Sequence, residues 1–317
     1  MGHDFVQRRL VSRVATQLFY SLGIMKTHAI SILDGGLATE LEARGHHLND
    51  SLWSARLLQD EPHEIAAVHE TFIRAGAEII TTASYQATFQ GFDQVGLGFA
   101  KAESLLRRSV QLAQKAARSG RGVRVAASIG PYGAYLADGS EYTGAYKIDH
   151  SALIEFHRRR WEVLVSESPD IILCETFPSL SEALAICELA RDLGGASLWI
   201  SFSCRDHAHL CDGTPIGEAA RALSKQSAVQ AIGVNCTSPQ FLPELIRRIR
   251  EQTDQQILAY PNSGELYDAS TRSWTGNRDL DGFASQAERW CELGASIIGG
   301  CCRVSPEHIT AIKARLK

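Results

Sequence analysis

The chain has 317 residues, of which 44% are hydrophobic and 21% are charged, and its formal net charge is −4. This apolar content is enough for one large core, and α/β barrels of this length commonly fold as a single domain. The sequence contains no Lys/Arg run and no apolar stretch of the roughly 18 residues needed to span a membrane. We therefore expect no nucleic-acid or membrane partner, and an enzyme that acts on small molecules is favoured.

Residues 1–28 differ from the rest of the chain, because Arg8, Arg9 and Arg13 precede a mixed apolar and polar stretch without a clear cleavage site. We interpret them as a peripheral N-terminal extension and assign residues 29–317 to a barrel domain. The only methionines are Met1 and Met25, so translation from Met25 would retain the whole repeating pattern. The eight cysteines occur in apolar patterns of a long chain, which favours free thiols and predicts a cytoplasmic protein.

Short runs of β-branched and aliphatic residues alternate with segments of helical periodicity from Ala29 onwards. The predicted strands are residues 30–34, 78–83, 123–128, 170–175, 197–203, 231–235, 257–260 and 296–299. The predicted helices between them include residues 62–75, 100–117, 151–166, 181–193, 216–224, 239–251 and 282–293. Eight strands in this alternation predict an α/β fold with a parallel sheet closed into a single (β/α)8 TIM-like barrel.

The carboxyl ends of the predicted strands carry polar and cysteine residues, and the loops after these ends form the active site of such barrels. Loops at protein surfaces are commonly polar, so one such residue says little, but the whole set predicts a functional rim. The longest connection, residues 131–150, is rich in Gly and Tyr. This composition favours an ordered lid or substrate wall over a loose linker.

Three cysteines follow predicted strands six and eight, which only strand seven separates around the barrel. They are Cys236, Cys301 and Cys302. Thiolates from these strand ends can meet one ion, and three soft sulfur ligands with an open fourth position are typical of a catalytic zinc site. Gly299 and Gly300 give the backbone the freedom that two adjacent ligands require. The remaining cysteines are interpreted as buried and inert.

A zinc site of this kind favours chemistry on sulfur. A free thiol is mostly protonated near neutral pH, whereas a thiol bound to zinc is deprotonated outright. A site that activates a substrate thiol in this way suits alkyl transfer to sulfur. The alternative is a non-enzymatic structural zinc or redox-sensing site, which would be closed by a fourth ligand and would not require a polar rim.

Five motifs in the sequence resemble the zinc-dependent homocysteine S-methyltransferases that use S-methylmethionine. The motifs are residues 34–42, 82–87, 130–142, 260–265 and 299–303. The resemblance covers nearly the whole chain from Ile30 onwards. It implies a zinc-dependent barrel that transfers a methyl group from S-methylmethionine to the thiol of L-homocysteine, forming methionine, with S-adenosylmethionine as a second candidate donor.

By that resemblance Cys236, Cys301 and Cys302 are the zinc ligands, and Asp34 and Glu175 hold the amino group of homocysteine. Paired carboxylates on one rim are natural partners for an ammonium group. The alternatives are an Asx turn or helix cap for Asp34 and an ion pair for Glu175. The other residues expected to line the homocysteine site are Gly35, Gly36, Ser84 and Asn235.

The methyl donor is a cation, so aromatic rings and carboxylates are candidates to contact it. The candidates are Tyr132, Tyr135, Asp138, Glu141 and Phe177, and packing in the core or exposure on the surface is the alternative for each. An enzyme with the same zinc and homocysteine sites that uses betaine or another donor is the alternative function. We favour a monomer over a homo-oligomer.

Overall fold

The computed structural model describes residues 28–48, 53–193, 197–268, 273–275 and 279–317. Ten strands lie in these ranges: β1 (Ser31–Ile32), β2 (Ile79–Thr81), β3 (Arg124–Ile129), β4 (Ile171–Phe177), β5 (Ser197–Phe202), β6 (Val229–Asn235), β7 (Gln256–Tyr260), β8 (Leu266–Asp268), β9 (Ser273–Thr275) and β10 (Ile297–Ile298). Strands β8 and β9 form a separate antiparallel hairpin. The other eight strands form one parallel sheet, as the sequence predicts.

The parallel sheet has the order β1-β10-β7-β6-β5-β4-β3-β2, and its first and last strands also meet. Leu33 forms a parallel bridge with Ile79, and the Asp34 backbone N–H donates a 3.0 Å hydrogen bond to the Ile79 carbonyl oxygen. These bonds leave no open edge at the first strand. The predicted fold class, a single (β/α)8 barrel, is therefore confirmed.

Twelve α-helices lie in the described residues. They are α1 (Leu37–Ala43), α2 (Leu57–Asp60), α3 (Pro62–Ala75), α4 (Phe89–Gln94), α5 (Phe99–Ala117), α6 (Tyr132–Leu136), α7 (His150–Ser166), α8 (Leu180–Leu193), α9 (Ile216–Leu223), α10 (Leu242–Arg250), α11 (Leu280–Glu292) and α12 (Pro306–Leu316). The predicted helix 239–251 is divided into a 3-10 turn, Pro239–Phe241, and helix α10. Pro243 in the first turn of α10 suits the start of a new helix, because its missing N–H is not needed there.

Two apolar layers hold the barrel together. The inner layer fills the barrel and contains Leu33, Ile79, Ala126, Ile171, Leu173, Trp199, Ala231, Leu258, Tyr260 and Ile297. The outer layer lies between the sheet and the helices, where alternate strand residues such as Ile32, Ile80 and Ile298 are fully buried. Inward and outward side chains alternate along each strand. The polar side chains at the strand ends are consequently confined to one rim.

Nearly all of the predicted N-terminal extension, residues 1–28, lies outside the described residues. His28 is described, and its Nε2 lies 3.0 Å from the Asp254 carbonyl oxygen. Within the part of the chain that the structure describes, no helix combines the length and the hydropathy needed to cross a bilayer.

Candidate metal and substrate site

Three cysteines meet at the carboxyl rim of the barrel. Cys236 directly follows β6, Cys301 and Cys302 follow β10, and β7 lies between the two strands. Cys236 and Cys301 form a disulfide with their Cα atoms 5.5 Å apart, and Cys302 Sγ lies 3.6 Å from Cys236 Sγ. All three sulfur atoms lie within 4.8 Å of one another. The fold thus brings together residues that are 65 positions apart in the chain.

The backbone around these cysteines is unusual at both strand ends. Cys236 has a φ of 45°, in the left-handed region that residues with a side chain rarely adopt. A Cβ on Gly299 would lie 2.7 Å from the Asp34 carbonyl oxygen, and a Cβ on Gly300 would lie 2.1 Å from the Val304 side chain. The two glycines are therefore needed because neighbouring atoms leave no room for a side chain. The sequence alone suggests a different reason, the backbone freedom that two adjacent ligands require.

Hydrogen bonds fix the turn that carries the paired cysteines. The Cys301 N–H donates to the Pro261 carbonyl oxygen over 2.8 Å, and the Ser263 N–H donates to the Cys302 carbonyl oxygen over 3.1 Å. The Arg303 guanidinium pairs with the Glu265 carboxylate through Nε at 3.1 Å and Nη2 at 3.2 Å. This two-bond ion pair ties the cysteine turn to the loop that follows β7.

When its cysteines are reduced, the cluster fits a thiophilic metal ion. Tetrahedral zinc with Zn–S bonds of about 2.3 Å separates two thiolate sulfurs by roughly 3.8 Å, close to the 3.6 Å between Cys236 and Cys302. Burial, with smaller contributions from the charges of Glu42 and Glu175, raises the pKa of the Cys302 thiol to about 12, so its thiolate needs a nearby cation. The disulfide occupies two of the three sulfurs, so metal binding requires that it be reduced.

Two polar groups face the sulfur atoms. The Asn235 side-chain N–H₂ lies 3.8 Å from Cys301 Sγ, and the Tyr142 hydroxyl lies 3.8 Å from Cys236 Sγ. Asn235 is held in place by Thr176, whose backbone N–H donates to Asn235 Oδ1 and whose hydroxyl accepts from Asn235 Nδ2, each over 2.8 Å. Donors at these positions stabilise negative charge on sulfur.

Two carboxyl groups lie on the same rim. Asp34 is buried at the end of β1 and accepts a 2.7 Å hydrogen bond from the Thr81 N–H, with the Thr81 hydroxyl 3.1 Å from the same oxygen. Glu175 lies in β4 and accepts a short hydrogen bond from the Ser128 hydroxyl. Among the described residues, no side-chain nitrogen of a Lys, Arg or His pairs with either carboxyl group at an N···O distance of 4.0 Å or less.

Burial controls the ionisation of both carboxyl groups. It raises the pKa of Glu175 to about 7, against hydrogen bonds that lower it. It also raises the pKa of Asp34 well above its usual range, and the nearby Glu175 charge adds to that increase. Because their surroundings make ionisation of both carboxyl groups unfavourable, a cationic ligand bound beside them would stabilise their ionised forms.

The two glycines and Ser84 have structural roles at the rim. A Cβ on Gly35 would lie 2.4 Å from the Val304 carbonyl oxygen, and one on Gly36 would lie 2.7 Å from the Cys301 carbonyl oxygen. Ser84 is buried, and its hydroxyl donates to the Ser128 carbonyl oxygen over 2.7 Å. The glycines therefore let β1 approach the cysteine turn, and Ser84 links the ends of β2 and β3.

The five residues predicted to face the methyl donor have different surroundings. The Tyr132 and Tyr135 rings are 5.6 Å apart and both pack against Phe156, beside a groove of about 550 Å³. Phe177 is fully buried and stacks on His157 at 5.9 Å. The ring contacts of these three residues are with other aromatic side chains, and their role as donor contacts stays a prediction.

The two acidic candidates differ from each other. The Asp138 carboxylate is at the surface and accepts hydrogen bonds from the Ser140 N–H and hydroxyl. Glu141 precedes Tyr142, whose hydroxyl reaches Cys236, and Glu141 Oε2 is buried without a hydrogen-bond partner among the described residues. Burial raises the pKa of Glu141. An unpaired buried carboxylate oxygen on the loop that reaches the thiols is a natural contact for a cationic ligand.

Sequence reasoning missed several polar residues of the site, notably Thr81, Ser128, Tyr142 and Tyr260. The Tyr260 hydroxyl is buried beside Glu175 without a hydrogen bond of normal geometry among the described residues. Tyr260 ends β7, so its position at a strand end was a usable signal. The partners of Asp34 and Glu175 come from neighbouring strands, and only the register identifies them.

These features define a (β/α)8-barrel protein that carries a cluster of three cysteines able to hold a metal ion, together with two carboxyl groups, at its active-site rim. The model of the homocysteine S-methyltransferase family matches residues 31–316. The chain therefore belongs to the homocysteine S-methyltransferase family and is an enzyme of the methyltransferase class.

Known proteins are similar to this chain over most of its length. The chain is 45% identical over 301 residues to homocysteine S-methyltransferase YbgG of Bacillus subtilis, with 92% of this chain and 96% of the relative covered. Crystal structures of the homocysteine methyltransferase MmuM from Escherichia coli in oxidized and metallated forms each align with a TM-score of 0.83 and 41% identity. Each alignment covers 91% of this chain and 97% of the other.

Proposed function

We propose that the protein transfers a methyl group from S-methylmethionine to the thiol of L-homocysteine, forming methionine, with zinc as the metal. The observation that carries this proposal is the placement of three thiols within 4.8 Å of one another on the rim that also holds Asp34 and Glu175. Thiol activation and amino-group recognition are the two requirements of a homocysteine site. Family membership supports the same reaction.

Cys236, Cys301 and Cys302 would hold the zinc ion, which supplies the positive charge that keeps a substrate thiol ionised at neutral pH. Asn235 and Tyr142 place N–H and O–H groups 3.8 Å from two of these sulfurs. Such contacts orient the cysteine side chains and moderate their negative charge. The close packing at Gly299 and Gly300 and the Glu265–Arg303 ion pair hold the end of β10, which carries Cys301 and Cys302, in position.

Asp34 and Glu175 would bind the homocysteine ammonium group. Asp34 is buried and Glu175 is half-buried, neither has a cationic partner among the described residues, and removal from water raises the pKa of each. An ammonium group between them would favour their ionised forms and satisfy the remaining oxygens. Its position would fix the direction in which the substrate thiol extends. Tyr260, whose hydroxyl is buried beside Glu175, is a further contact for the bound amino acid.

Glu141 is the candidate that we assign to the cationic methyl donor. Its unpaired oxygen is buried, and it belongs to the loop whose next residue, Tyr142, reaches Cys236. Tyr132, Tyr135, Phe177 and Asp138 stay predictions as donor contacts. Methyl transfer between two sulfur atoms requires no base at the methyl carbon, so the residues around it must align the reactants and exclude water.

The test is methionine formation from homocysteine with S-methylmethionine, S-adenosylmethionine and betaine in parallel. Zinc content would be measured on the same reduced preparation. We expect the fastest turnover with S-methylmethionine at about one zinc per chain. Faster turnover with betaine would replace the proposed donor, and full activity of metal-free protein would refute the role of zinc.

We further propose that residues 29–317 form the catalytic domain, that residues 1–28 are dispensable, and that the enzyme is a cytoplasmic monomer. The family match over residues 31–316 supports the domain assignment. A chain starting at Met25 should retain turnover, and size-exclusion chromatography with light scattering should give the mass of one chain. Loss of turnover on truncation would assign the first residues to the active enzyme.

A further inference from the structure

A buried group of three ionisable side chains lies behind the long loop that follows β3. Arg160 and His157 are one turn apart on α7, and Glu182 is in the first turn of α8. All three are at most 1% exposed. Arg160 Nη2 lies 2.8 Å from His157 Nδ1, and His157 Nε2 lies 2.9 Å from Glu182 Oε1.

These distances fix the proton on the imidazole. Arg160 can only donate, so His157 Nδ1 accepts and the ring proton is on Nε2, from which it is donated to Glu182. Burial lowers the pKa of His157, which agrees with a neutral ring. The group is therefore a positive and a negative side chain joined through a neutral imidazole. Buried charges are expensive to maintain and need every partner in place, so such a group specifies geometry.

The remaining bonds of the group are made to loop residues. Arg160 Nη2 donates to the Gly130 carbonyl oxygen over 2.7 Å, and Nη1 lies 3.4 Å from the Tyr85 carbonyl oxygen. Glu182 Oε1 accepts a 2.6 Å hydrogen bond from the Tyr132 N–H. Glu182 Oε2 accepts a short hydrogen bond from the Tyr146 hydroxyl. Glu182 thus holds both ends of the segment formed by residues 130–146, which we call the rim loop.

The rim loop carries the groups that reach the thiols. Tyr142 approaches Cys236 Sγ to 3.8 Å, and the Glu141 carbonyl oxygen accepts a 2.9 Å hydrogen bond from the Ser203 hydroxyl. The middle of the rim loop is exposed, with Tyr142 46% accessible. Its position over the site therefore depends on how its two ends are held, together with the Ser203 hydrogen bond.

We propose that Glu182, His157 and Arg160 are positioning residues that hold the rim loop where it forms the methyl-donor side of the site. This inference rests on the proposed function for the identity of the donor, but not for the position of the loop. None of the three side chains needs to touch a substrate. Their action is to fix the backbone of Gly130 and Tyr132 and the side chain of Tyr146.

The experiment compares Glu182→Ala, Glu182→Gln and Tyr146→Phe with a matched control, Glu188→Gln. Glu188 is a carboxylate on the same helix that pairs with His150 on α7 at 2.9 Å, but this pair is about 40% exposed (41% and 42%). Gln at position 182 can accept the two N–H groups and donate to Tyr146, so it should preserve the loop contacts, while the uncompensated Arg160 charge lowers the stability of the fold. Tyr146→Phe removes the hydrogen bond to Glu182 and leaves the buried charges intact, so it tests the same role if Glu182→Ala folds poorly.

Two readouts are measured on metal-replete protein. In steady-state kinetics, Glu182→Ala and Tyr146→Phe should raise the donor KM roughly tenfold, the usual effect of losing a hydrogen bond to a charged group. The KM for homocysteine should stay within about twofold, and Glu182→Gln and Glu188→Gln should resemble the wild type. In hydrogen exchange, rim-loop amides should exchange faster in Glu182→Ala and Tyr146→Phe only.

Each contrary outcome has its own meaning. Unchanged rim-loop exchange in Glu182→Ala and Tyr146→Phe would overturn the positioning role, whatever the donor. Faster exchange with an unchanged donor KM, in an enzyme that uses S-methylmethionine, would show that the loop does not form the donor side. A wild-type protein inactive with S-methylmethionine would instead overturn the proposed function, while the exchange data would still decide the position of the loop.

Discussion

The Sγ atoms of Cys236 and Cys302 lie 3.6 Å apart, although one cysteine follows β6 and the other follows β10. The strand between them, β7, is followed by Pro261, whose carbonyl oxygen accepts a hydrogen bond from the Cys301 N–H. The contact between the two sulfur atoms therefore depends on three neighbouring strands in correct register. It is a tertiary contact that no short sequence motif could create.

Replacing Cys302 with Ala should reduce zinc affinity by at least tenfold and abolish turnover with it, because only two thiols remain at the cluster. Zinc would be titrated into reduced protein with a chromophoric chelator as competitor. Cys291→Ala is the matched control, since Cys291 lies on α11 outside the cluster. Tight stoichiometric zinc in Cys302→Ala would contradict the assignment of this residue.

Oxidation and metal binding should exclude each other, because the Cys236–Cys301 disulfide uses two of the three sulfurs. Protein treated with a thiol oxidant should bind no zinc, and reduction should restore about one zinc per chain. Zinc-loaded protein should form the disulfide at least about tenfold more slowly. Counting free thiols and bound metal in the same samples provides the measurement. Full zinc content in oxidised protein would rule out this relation.

Homocysteine binding should weaken as the pH falls below about 7, because the raised pKa of Glu175 leaves its carboxyl protonated and unable to attract an ammonium group. The homocysteine KM of the wild type should therefore rise between pH 8 and pH 6. Glu175→Gln should have a high KM that changes less over this range. A KM for the wild type that is independent of pH would argue against Glu175 as the amino-group ligand.

The same substitution should stabilise the ligand-free protein at pH 8. The pKa of Glu175 is about 7 in the folded chain and 4.5 ordinarily, so the folded state binds more protons between these values and loses stability as the pH rises through them. Glu175→Gln should raise the free energy of unfolding at pH 8 by at most about 3 kcal/mol. The gain should vanish near pH 4, as denaturant unfolding at both pH values would test.

Gly36→Ala should weaken the cysteine site without touching a ligand. The added Cβ would lie 2.7 Å from both the Cys301 carbonyl oxygen and Thr39 Oγ1, so the cysteine turn must move. We expect a loss of about 1–3 kcal/mol in stability together with weaker zinc binding. Gly217→Ala is the control, because its Cβ would meet its nearest neighbour at an ordinary 3.7 Å. Equal zinc affinity in the two variants would contradict the proposed strain.

Glu141 and Asp138 can be separated by their effect on the donor. Glu141→Gln should raise the donor KM roughly tenfold, because it removes the charge of a buried unpaired oxygen. Asp138→Asn should change it little, since Asp138 is exposed and bonded to Ser140. The two variants would be compared at saturating homocysteine. A larger effect from Asp138→Asn would reverse the assignment.

The barrel could be predicted because each strand is a recognisable run of β-branched and aliphatic residues. Eight such strands alternating with helices are typical of a closed (β/α)8 barrel. That closure also explains why the meeting of Cys236 with Cys301 and Cys302 could be anticipated from strand order. The hairpin β8–β9 and the short helix α6 were not predicted, since both lie in segments without clear periodicity. Local pattern is a poor guide to short elements.

Side-chain partners across the fold could not be predicted for a different reason. His157, Arg160 and Glu182 appear in the sequence as ordinary polar residues of amphipathic helices, yet the structure buries all three. Hydrophobic periodicity places charged residues outside, and it has no means of recognising charges that satisfy one another. The same limit applies to the Tyr132, Tyr135 and Phe177 rings, whose directions depend on contacts between separate loops.

Because the cysteines lie on both sides of β7, a bound metal ion would join the ends of the last three barrel strands, β6, β7 and β10. An ion that binds only the folded chain stabilises it by an amount that grows with the logarithm of the free ion concentration. The metal ion would join strands whose cysteines are separated by 65 residues. The lifetime of the folded enzyme should therefore follow the metal supply of its surroundings, so metal starvation would lower its abundance as well as its activity.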